Sequence, residues 1–363
     1  AGPAGYFLRI ASTWTAMPLP RQSIEKYGDK WTEASNAISN GPFKLQKWDH
    51  DKQIVIARNE GYWGTKPTLD KVVVTITDDY TRTSLPSYEN NELDYAIGPF
   101  TADIDRINGD PTLSKQLHNL PYSSTAFMTC DTSNTNSPIS KIQVRQALYL
   151  AIDREKIVND VFKKVYTPAY TILPQDILGY NPNARIPGGV KEAKDLLAQA
   201  GYPDGKGMPS LKIDYIKTTN NDLLMQVLQQ TWKDSLGVKI DLNAMERKAY
   251  TDYRKTLKTG HFDMLGSNWG SDYLDPFDWH NFLFRTDTDF YHSHWSNADF
   301  DKLVNQAATL TDQNKRKDLH QQAEVILVKE ASQIPIYHTA SSYLIKPWVA
   351  DYIHTSLSFD KFA

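Results

Sequence analysis

The chain has 363 residues, of which 40% are hydrophobic and 23% are charged, and its formal net charge at pH 7 is -3. This length predicts two domains, because a single hydrophobic core rarely grows so large. The slightly acidic balance excludes the basic face that a nucleic-acid-binding protein needs, so no nucleic acid is expected as a partner. No apolar stretch reaches the roughly 18 residues that a membrane span requires.

The content of cysteine and aromatic residues narrows the chemistry further. A single cysteine, Cys130, rules out an internal disulfide and a cysteine-based zinc site. The nine Trp and twenty Tyr residues are many for this length, and rings with a polar edge suit both a core and a pocket for variable ligands.

The first 120 residues are predicted to form a small sheet with short helices. Alternating and β-branched runs indicate strands, and apolar residues at helical spacing indicate helices. The predicted strands are 43–48, 53–57 and 72–77, and the predicted helices are 23–26, 81–91 and 103–107.

From residue 141 the apolar spacing becomes helical and then alternates between helix and strand. Asp153 is expected to cap a second helix after the first, Asn221 is expected to cap another, and Gly237 is expected to end it. An extended passage rich in proline spans 166–189. The predicted helices are 141–152, 154–162, 190–200, 221–236, 247–257, 299–310 and 313–330, and the predicted strands are 211–216, 238–242, 262–265, 334–337 and 343–346.

The stretch 262–276 is the strongest candidate for a ligand site. A short apolar strand, 262–265, is predicted to run into a loop that carries Trp269, Asp272, Tyr273 and Asp275. The β-α-β-α-β order before it predicts a largely parallel sheet, and ligands bind such sheets near the carboxyl ends of the strands. Two carboxylates beside aromatic rings suit a ligand with a positive end. The alternative is that the two aspartates only cap turns or the next helix.

Other motifs give little support for catalysis or for a metal. The nucleophile elbow Gly-x-Ser-x-Gly is absent. The glycines at 201–207 follow a helix and lack the context of a phosphate loop, so we interpret them as a helix end and a turn. His292 and His294 lie near His280, Asp287 and Asp289, but no clear third ligand accompanies them. We predict no catalytic residue, no cofactor and no metal site.

Several motifs in one shared order resemble the extracytoplasmic solute-binding proteins of ABC importers, of the family 5 type that binds oligopeptides and dipeptides. Each motif alone is weak, but their order extends over nearly the entire chain. The matching segments are 25–31, 39–45 with Trp48, Arg58 and Asn59 with Tyr62 and Trp63, 144–148, 151–154, 193–204, Asp272 and Tyr273 with Asp275 and Pro276, and 346–348.

The resemblance implies an α/β fold similar to the type II periplasmic-binding proteins, with two lobes and mixed sheets. Residues 1–122 and 338–363 would form the remainder of lobe one, and residues 123–337 would form the second lobe with the Trp269 to Asp272 loop. The initial part of lobe one and a small extra domain of this family have no counterpart in the sequence. We therefore expect a fragment, with a signal or lipid-anchor segment upstream of residue 1 and weak or absent binding by the fragment alone.

The resemblance also assigns roles within the stretch 262–276. The aspartate that matches Asp272 accepts the α-ammonium of a bound peptide, and Trp269 and Tyr273 would be walls of the pocket. Backbone groups of Asn268 and Gly270 would pair with the ligand main chain as an added strand, which gives affinity without side-chain selectivity. Some oligopeptide receptors carry an arginine three residues before the tryptophan, where this chain has Gly266.

The function implied is that of a substrate-binding receptor, monomeric and without enzymatic activity. It would capture oligopeptides between two lobes and deliver them to the permease subunits of an ABC importer, in the periplasm or at the outer face of the membrane. Two alternatives stay open. One is a receptor of the same fold for an oligosaccharide or a metal chelate, although Asp272 speaks against a neutral sugar. The other is a glycoside hydrolase that uses Asp272 and Asp275.

Overall fold

The structure, a computed structural model, describes residues 2–77, 80–98, 100–353, 355–357 and 361–362. The chain divides into a large unit, Ala1–Thr13 with Pro121–Ala340, and a small unit, Trp14–Leu120 with Ser341–Ala363. Residues 1–13 thus belong to the large unit, whereas the predicted division placed them with the residues of the small one. The assignment of the units to the lobes of a receptor stays a prediction.

The described helices and strands follow the predicted order along most of the chain. The α-helices are α1 (Phe7–Ala11), α2 (Arg21–Tyr27), α3 (Tyr80–Glu89), α4 (Ile104–Gly109), α5 (Leu113–Gln116), α6 (Ile142–Leu150), α7 (Arg154–Lys156), α8 (Val190–Gln199), α9 (Thr219–Leu236), α10 (Arg247–Thr256), α11 (Ala298–Ala308) and α12 (Gln313–Glu330). The strands are β1 (Phe43–Asp49), β2 (Gln53–Arg58), β3 (Lys71–Thr75), β4 (Tyr95–Ile97), β5 (Leu117–Cys130), β6 (Thr167–Pro168), β7 (Leu211–Ile216), β8 (Ile240–Met245), β9 (Met264–Gly270), β10 (Gln333–Ile345), β11 (Tyr352–Ile353) and β12 (Lys361–Phe362). Short 3₁₀-helices lie at Trp14–Ala16, Gly28–Thr32, Pro138–Ser140 and Pro203–Gly205, and π-helical segments lie at Ile157–Val161 and Phe277–Phe284.

A mixed sheet forms the centre of the large unit, in the strand order β10, β5, β9, β7, β8, with β6 beside β10. Strand β7 is parallel to both β8 and β9, which confirms the predicted run of parallel strands. Strand β5 is antiparallel to β9, so the sheet is mixed rather than largely parallel. The predicted mixed α/β fold class is thereby confirmed.

Three of the predicted strands differ clearly in extent from those in the structure. The predicted strands 334–337 and 343–346 are one continuous strand, β10, because the backbone does not turn between them. Strand β9 runs to Gly270 and not to Leu265, because β5 pairs with it as far as Ser124 opposite Gly270. Trp269 therefore lies inside a strand, whereas the sequence placed it in the loop that follows.

Helix α9 illustrates how local signals set the ends of an element. The hydroxyl of Thr218 accepts the backbone N–H of Asn221, so Thr218 and not the predicted Asn221 is the N-cap. Gly237 ends the helix with φ 69°, in the left-handed region that glycine adopts most easily. The apolar face of α9 is buried, and the indole of Trp232 donates to the carbonyl of Leu148 at 2.9 Å.

The small unit contains a three-stranded antiparallel sheet, β1–β2–β3, and a short antiparallel pair of β11 with β12. Strand β4 pairs with the last residues of β10. The apolar core of the small unit consists of residues from α3, β4, α4, α5 and β10, together with Phe100 from the segment between β4 and α4: Leu85, Tyr88, Ala96, Phe100, Ile107, Leu113 and Leu344. None of the described helices in either unit combines the length and the apolar character that crossing a bilayer would require.

The end of α9 provides a test of this packing. A methyl group added at Gly237 would lie 2.3 Å from the carbonyl oxygen of Asp204, whereas one added at Gly207, with φ 75°, would meet no atom within 4 Å. We expect Gly207→Ala to lower the free energy of unfolding by about 1 kcal/mol, the cost of a left-handed alanine. Gly237→Ala should cost at least about 1 kcal/mol more, since the Asp204 turn must also move. Urea denaturation measures both, and equal losses would contradict the close contact.

Candidate functional site

Within the described part of the chain, β9 from Gly266 onward has a neighbouring strand on one side only. Strand β7 pairs with β9 at Met264 and Leu265, and the pairings described go no further along that edge. Strand β5 pairs with the opposite edge over the full length of β9. The edge of β9 from Gly266 to Gly270 is therefore free of a neighbouring strand within the described part of the chain.

The direction of the backbone groups follows from the bonds at the two ends of β9. The carbonyl of Asp263 accepts from Asp131 at 3.2 Å, and the N–H of Ser271 donates to Ser123 at 2.7 Å, so odd-numbered residues face β5. In an antiparallel strand the backbone N–H and C=O of one residue point to one side, and those of the next residue point to the other side. The backbone groups of Gly266, Asn268 and Gly270 therefore point to the free edge.

Two carbonyls on the free edge are already occupied. The hydroxyl of Tyr250 donates to the carbonyl of Gly266 at 3.2 Å, and the hydroxyl of Tyr291 donates to that of Asn268 at 2.6 Å. Beyond Gly266, the groups left for a ligand strand are the N–H of Asn268 and the backbone of Gly270. The sequence had assigned Asn268 this role without distinguishing its two backbone groups.

Asp272 follows the end of β9 by two residues and presents an exposed carboxylate. Partial burial raises the pKa of Asp272, and no cation or side-chain donor to its carboxylate occurs among the residues that the structure describes. A carboxylate that is partly desolvated and unpaired gains free energy when a cationic group approaches. The carboxylate is thus suited to accept an ammonium group.

Asp278, which the sequence did not single out, holds this loop in place. Its buried Oδ2 accepts the indole N–H of Trp269 at 3.1 Å and the backbone N–H of Asp272 at 2.9 Å. Burial raises the pKa of Asp278 to about 7, although these two hydrogen bonds lower it. One carboxylate oxygen therefore fixes both the tryptophan ring and the backbone from which the Asp272 side chain projects.

Asp275 is committed to the interior of the large unit. Its carboxylate forms two hydrogen bonds with the buried guanidinium of Arg316, at 2.7 and 2.9 Å, and it accepts the backbone N–H of Phe277 at 2.9 Å. The predicted capping role is present, and the ion pair is an addition that the sequence did not indicate. The glycoside hydrolase alternative loses its second carboxylate, because a buried and paired Asp275 cannot reach a substrate.

Two aromatic residues of the site, Trp269 and Tyr273, are partly exposed. Trp269 is half-buried and packs against Phe282 and Phe290, with ring centroids 5.5 and 5.3 Å away. Tyr273 is half-buried, and burial raises its pKa, so its hydroxyl stays protonated. Both rings therefore leave part of their surface for another molecule.

The histidine and aspartate residues near 280–294 do not assemble into one site. His280 is fully buried and contacts Glu324 at 2.7 Å and His320 at 3.1 Å. Asp287 pairs with Arg285. Asp289 accepts the backbone N–H groups of Ser293 and His294.

Comparison with known proteins gives a consistent result. The profile of the family described as "Bacterial extracellular solute-binding proteins, family 5 Middle" matches residues 2–290. The periplasmic oligopeptide-binding protein OppA of Salmonella typhimurium is 30% identical over 366 residues, and the probable deoxycholate-binding periplasmic protein YgiS of Escherichia coli is 31% identical over 356 residues. Each alignment covers 96% of this chain and 64% of the relative, so the chain spans less than two thirds of these relatives.

Solved structures show the same fold. The oligopeptide-binding protein OppAIV of Borrelia burgdorferi superposes with a TM-score of 0.79 at 28% identity, covering 95% of this chain and 68% of that one. The murein tripeptide binding protein MppA of Escherichia coli superposes with a TM-score of 0.81 at 26% identity, covering 98% of this chain and 69% of that one.

Because the pKa of Asp278 is raised on folding, the stability of the protein should depend on pH. Replacing Asp278 with an uncharged residue should remove this contribution. Folding raises this pKa from 3.8 to about 7, so the folded chain binds more protons between these values and loses stability as the pH rises through them. Asparagine does not titrate. We expect the unfolding free energy of Asp278→Asn to increase relative to wild type from about pH 4 to pH 7. Parallel pH profiles in urea denaturation would contradict this assignment.

The ion pair between Asp275 and Arg316 predicts a large loss on truncation. Asp275→Asn leaves the buried guanidinium without its charge partner, and we expect the unfolding free energy to fall by about 3–5 kcal/mol. The matched control is Asp287→Asn, which removes the carboxylate of an exposed pair with Arg285 and should cost less than about 1 kcal/mol. Similar losses in the two variants would show that Asp275 has no special structural role.

Proposed function

Because the chain belongs to the family 5 bacterial extracellular solute-binding proteins, we propose that it captures oligopeptides for an ABC importer. The observation that carries this proposal is the carboxylate of Asp272, which is exposed, partly desolvated and unpaired within the described part of the chain. A peptide with a free α-ammonium supplies the missing cation. Asp272 is accordingly its anchor.

The free edge of β9 supplies the second element of recognition. The N–H of Asn268 and the backbone of Gly270 are positioned to pair with the main chain of an extended peptide that lies along this edge. Main-chain pairing of this kind is independent of the ligand's side chains, so it supports binding of varied sequences.

Trp269 and Tyr273 form the walls of the site in this proposal. The indole N–H of Trp269 is held by Asp278, so the ring has a fixed orientation before any ligand arrives. A ring held in this way loses little conformational entropy on binding. These walls exclude water from the contact between Asp272 and the ammonium, which strengthens that contact.

The proposed receptor performs no chemistry. The relatives that are 30% and 31% identical carry the names of binding proteins, and Asp275 is withdrawn from solvent by Arg316. In this proposal the protein is a monomer, acts in the periplasm or at the outer face of the membrane, and delivers its ligand to permease subunits. It uses no cofactor for this task.

A receptor for another solute is the second candidate, and one relative favours it. YgiS is described as a probable deoxycholate-binding protein and is 31% identical to this chain. Deoxycholate is an anion, and an unpaired carboxylate at Asp272 would repel it. The peptide proposal therefore agrees better with the charge of the site.

The test compares a substitution at Asp272 with a modification of the ligand. In the full gene product, Asp272→Ala should fold normally and bind a short peptide at least about 100-fold more weakly in calorimetry, since a desolvated ammonium loses its partner. N-acetylation of the same peptide should weaken binding to the wild type by a similar factor. It should have little further effect on the variant, because the two changes remove one contact.

The matched control is Asp252→Ala, which removes an exposed carboxylate of the same unit that pairs with Lys248 and Lys255. Its affinity should equal that of the wild type. Unchanged affinity in Asp272→Ala would refute the anchor role. Additive effects of the substitution and the acetylation would show that Asp272 and the ammonium do not touch.

A further inference from the structure

Three residues from distant parts of the sequence meet at the end of β9 that lies away from Asp272. Asp131 follows β5, His261 precedes β9, and His294 belongs to the loop before α11. Each offers one donor atom, and these atoms lie within 4.8 Å of one another. Because β9 separates this group from Asp272 by seven residues, or about 20 Å, it is distinct from the candidate peptide site.

Asp131 is the buried centre of this group. Its Oδ2 lies 2.8 Å from Nδ1 of His261, and its Oδ1 lies 3.2 Å from Nδ1 of His294. Oδ1 also accepts the N–H and the hydroxyl of Ser133, both at 2.9 Å. Asp131 therefore holds both histidine rings through its two carboxylate oxygens.

We propose that Asp131, His261 and His294 bind one divalent transition-metal ion, with Zn²⁺ as the simplest case. Imidazole nitrogen and carboxylate oxygen are ligands that zinc prefers, and three protein ligands with one open position form a common zinc site. Ligands about 2.0–2.1 Å from a tetrahedral ion lie roughly 3.3 Å apart. Nδ1 of His261 lies 2.8 Å from Oδ2 of Asp131, and Nδ1 of His294 lies 3.2 Å from Oδ1, so each nitrogen is close to this distance from a different oxygen of the carboxylate.

One tautomer of the histidines leaves Nδ1 free to bind an ion, and the exposure of their side chains gives the ion access from solvent. A neutral imidazole that carries its proton on Nε2 leaves Nδ1 free to ligate. The side chain of His261 is 53% exposed and that of His294 is 25% exposed, whereas Asp131 is fully buried. The ion would therefore rest on a buried carboxylate and keep water as its fourth ligand.

The loop that carries His294 is fixed before any ion binds. The carboxylate of Asp289 accepts the N–H of Ser293 at 3.0 Å and that of His294 at 2.7 Å. His294 has φ 55°, in the left-handed region that costs free energy in residues other than glycine. These contacts hold the ring of His294 beside Asp131, so little ordering is required when the ion binds.

The position of the group defines what the ion would do. It would connect the end of β5, the start of β9 and the loop before α11, which are all parts of the large unit. Binding to the folded chain stabilises it by mass action. The inferred site would therefore stabilise the large unit and is independent of peptide capture.

The test measures zinc binding by the full gene product without a polyhistidine tag. The wild type should bind one Zn²⁺ per chain in competition with a chromophoric chelator, and its Tm should rise with zinc. His261→Asn and His294→Asn should each weaken binding by at least about tenfold and abolish the rise in Tm. Asparagine suits position 294 because it tolerates a left-handed backbone.

The matched control is His292→Asn, since His292 has φ 57°, lies two residues from His294 and is outside the group. Its zinc affinity should stay within about twofold of the wild type. The proposal is overturned if the wild type does not saturate at one ion per chain. It is also overturned if His261→Asn and His294→Asn retain wild-type affinity, because the ion then binds elsewhere.

Discussion

The carboxylate of Asp278 is the contact on which the geometry of the candidate peptide site depends. One of its oxygens accepts hydrogen bonds from the indole of Trp269 and from the backbone of Asp272, so it joins the end of β9 to the loop that follows. The neighbouring contact has the same effect, because the indole of Trp279 donates to the hydroxyl of Ser271 at 2.8 Å. Buried polar groups thus fix the loop from the inside, and the side chain of Asp272 is left to face outward.

The three carboxylates of this loop have different environments, and these differences assign their roles. Asp275 is buried, and both of its carboxylate oxygens accept hydrogen bonds from Arg316. Asp278 has no cation beside it among the residues that the structure describes, and burial raises its pKa to about 7. Asp272 alone is exposed and lacks a partner among the described residues. A charge that the protein itself does not neutralise is the natural place for a cationic ligand, so this division follows from electrostatics rather than from spacing.

The sequence predicted those features that depend on local pattern and missed those that depend on distant partners. Apolar spacing predicted α9 and β7, and Gly237 was correctly placed as the end of α9 because a left-handed residue there favours glycine. The true extent of β9 depends on pairing with β5, more than 130 residues earlier in the chain, and no local signal indicates it. The role of Asp278 and the group at Asp131 depend in the same way on contacts that only the folded chain creates.

The packing beside β9 also explains why a glycine occupies position 266. A methyl group at this position would lie 2.8 Å from Cβ of Tyr215 and 2.9 Å from the terminal methyl of Met225, so the space beside β9 is already filled. An arginine here would require both residues to move, and the strand therefore offers no cation three residues before Trp269 to hold a ligand's carboxylate. In the proposed mode of binding, affinity at this edge comes from Asp272 and from main-chain pairing. Neither of these contacts depends on the distance between the amino and carboxyl ends of a peptide, so β9 itself imposes no fixed ligand length.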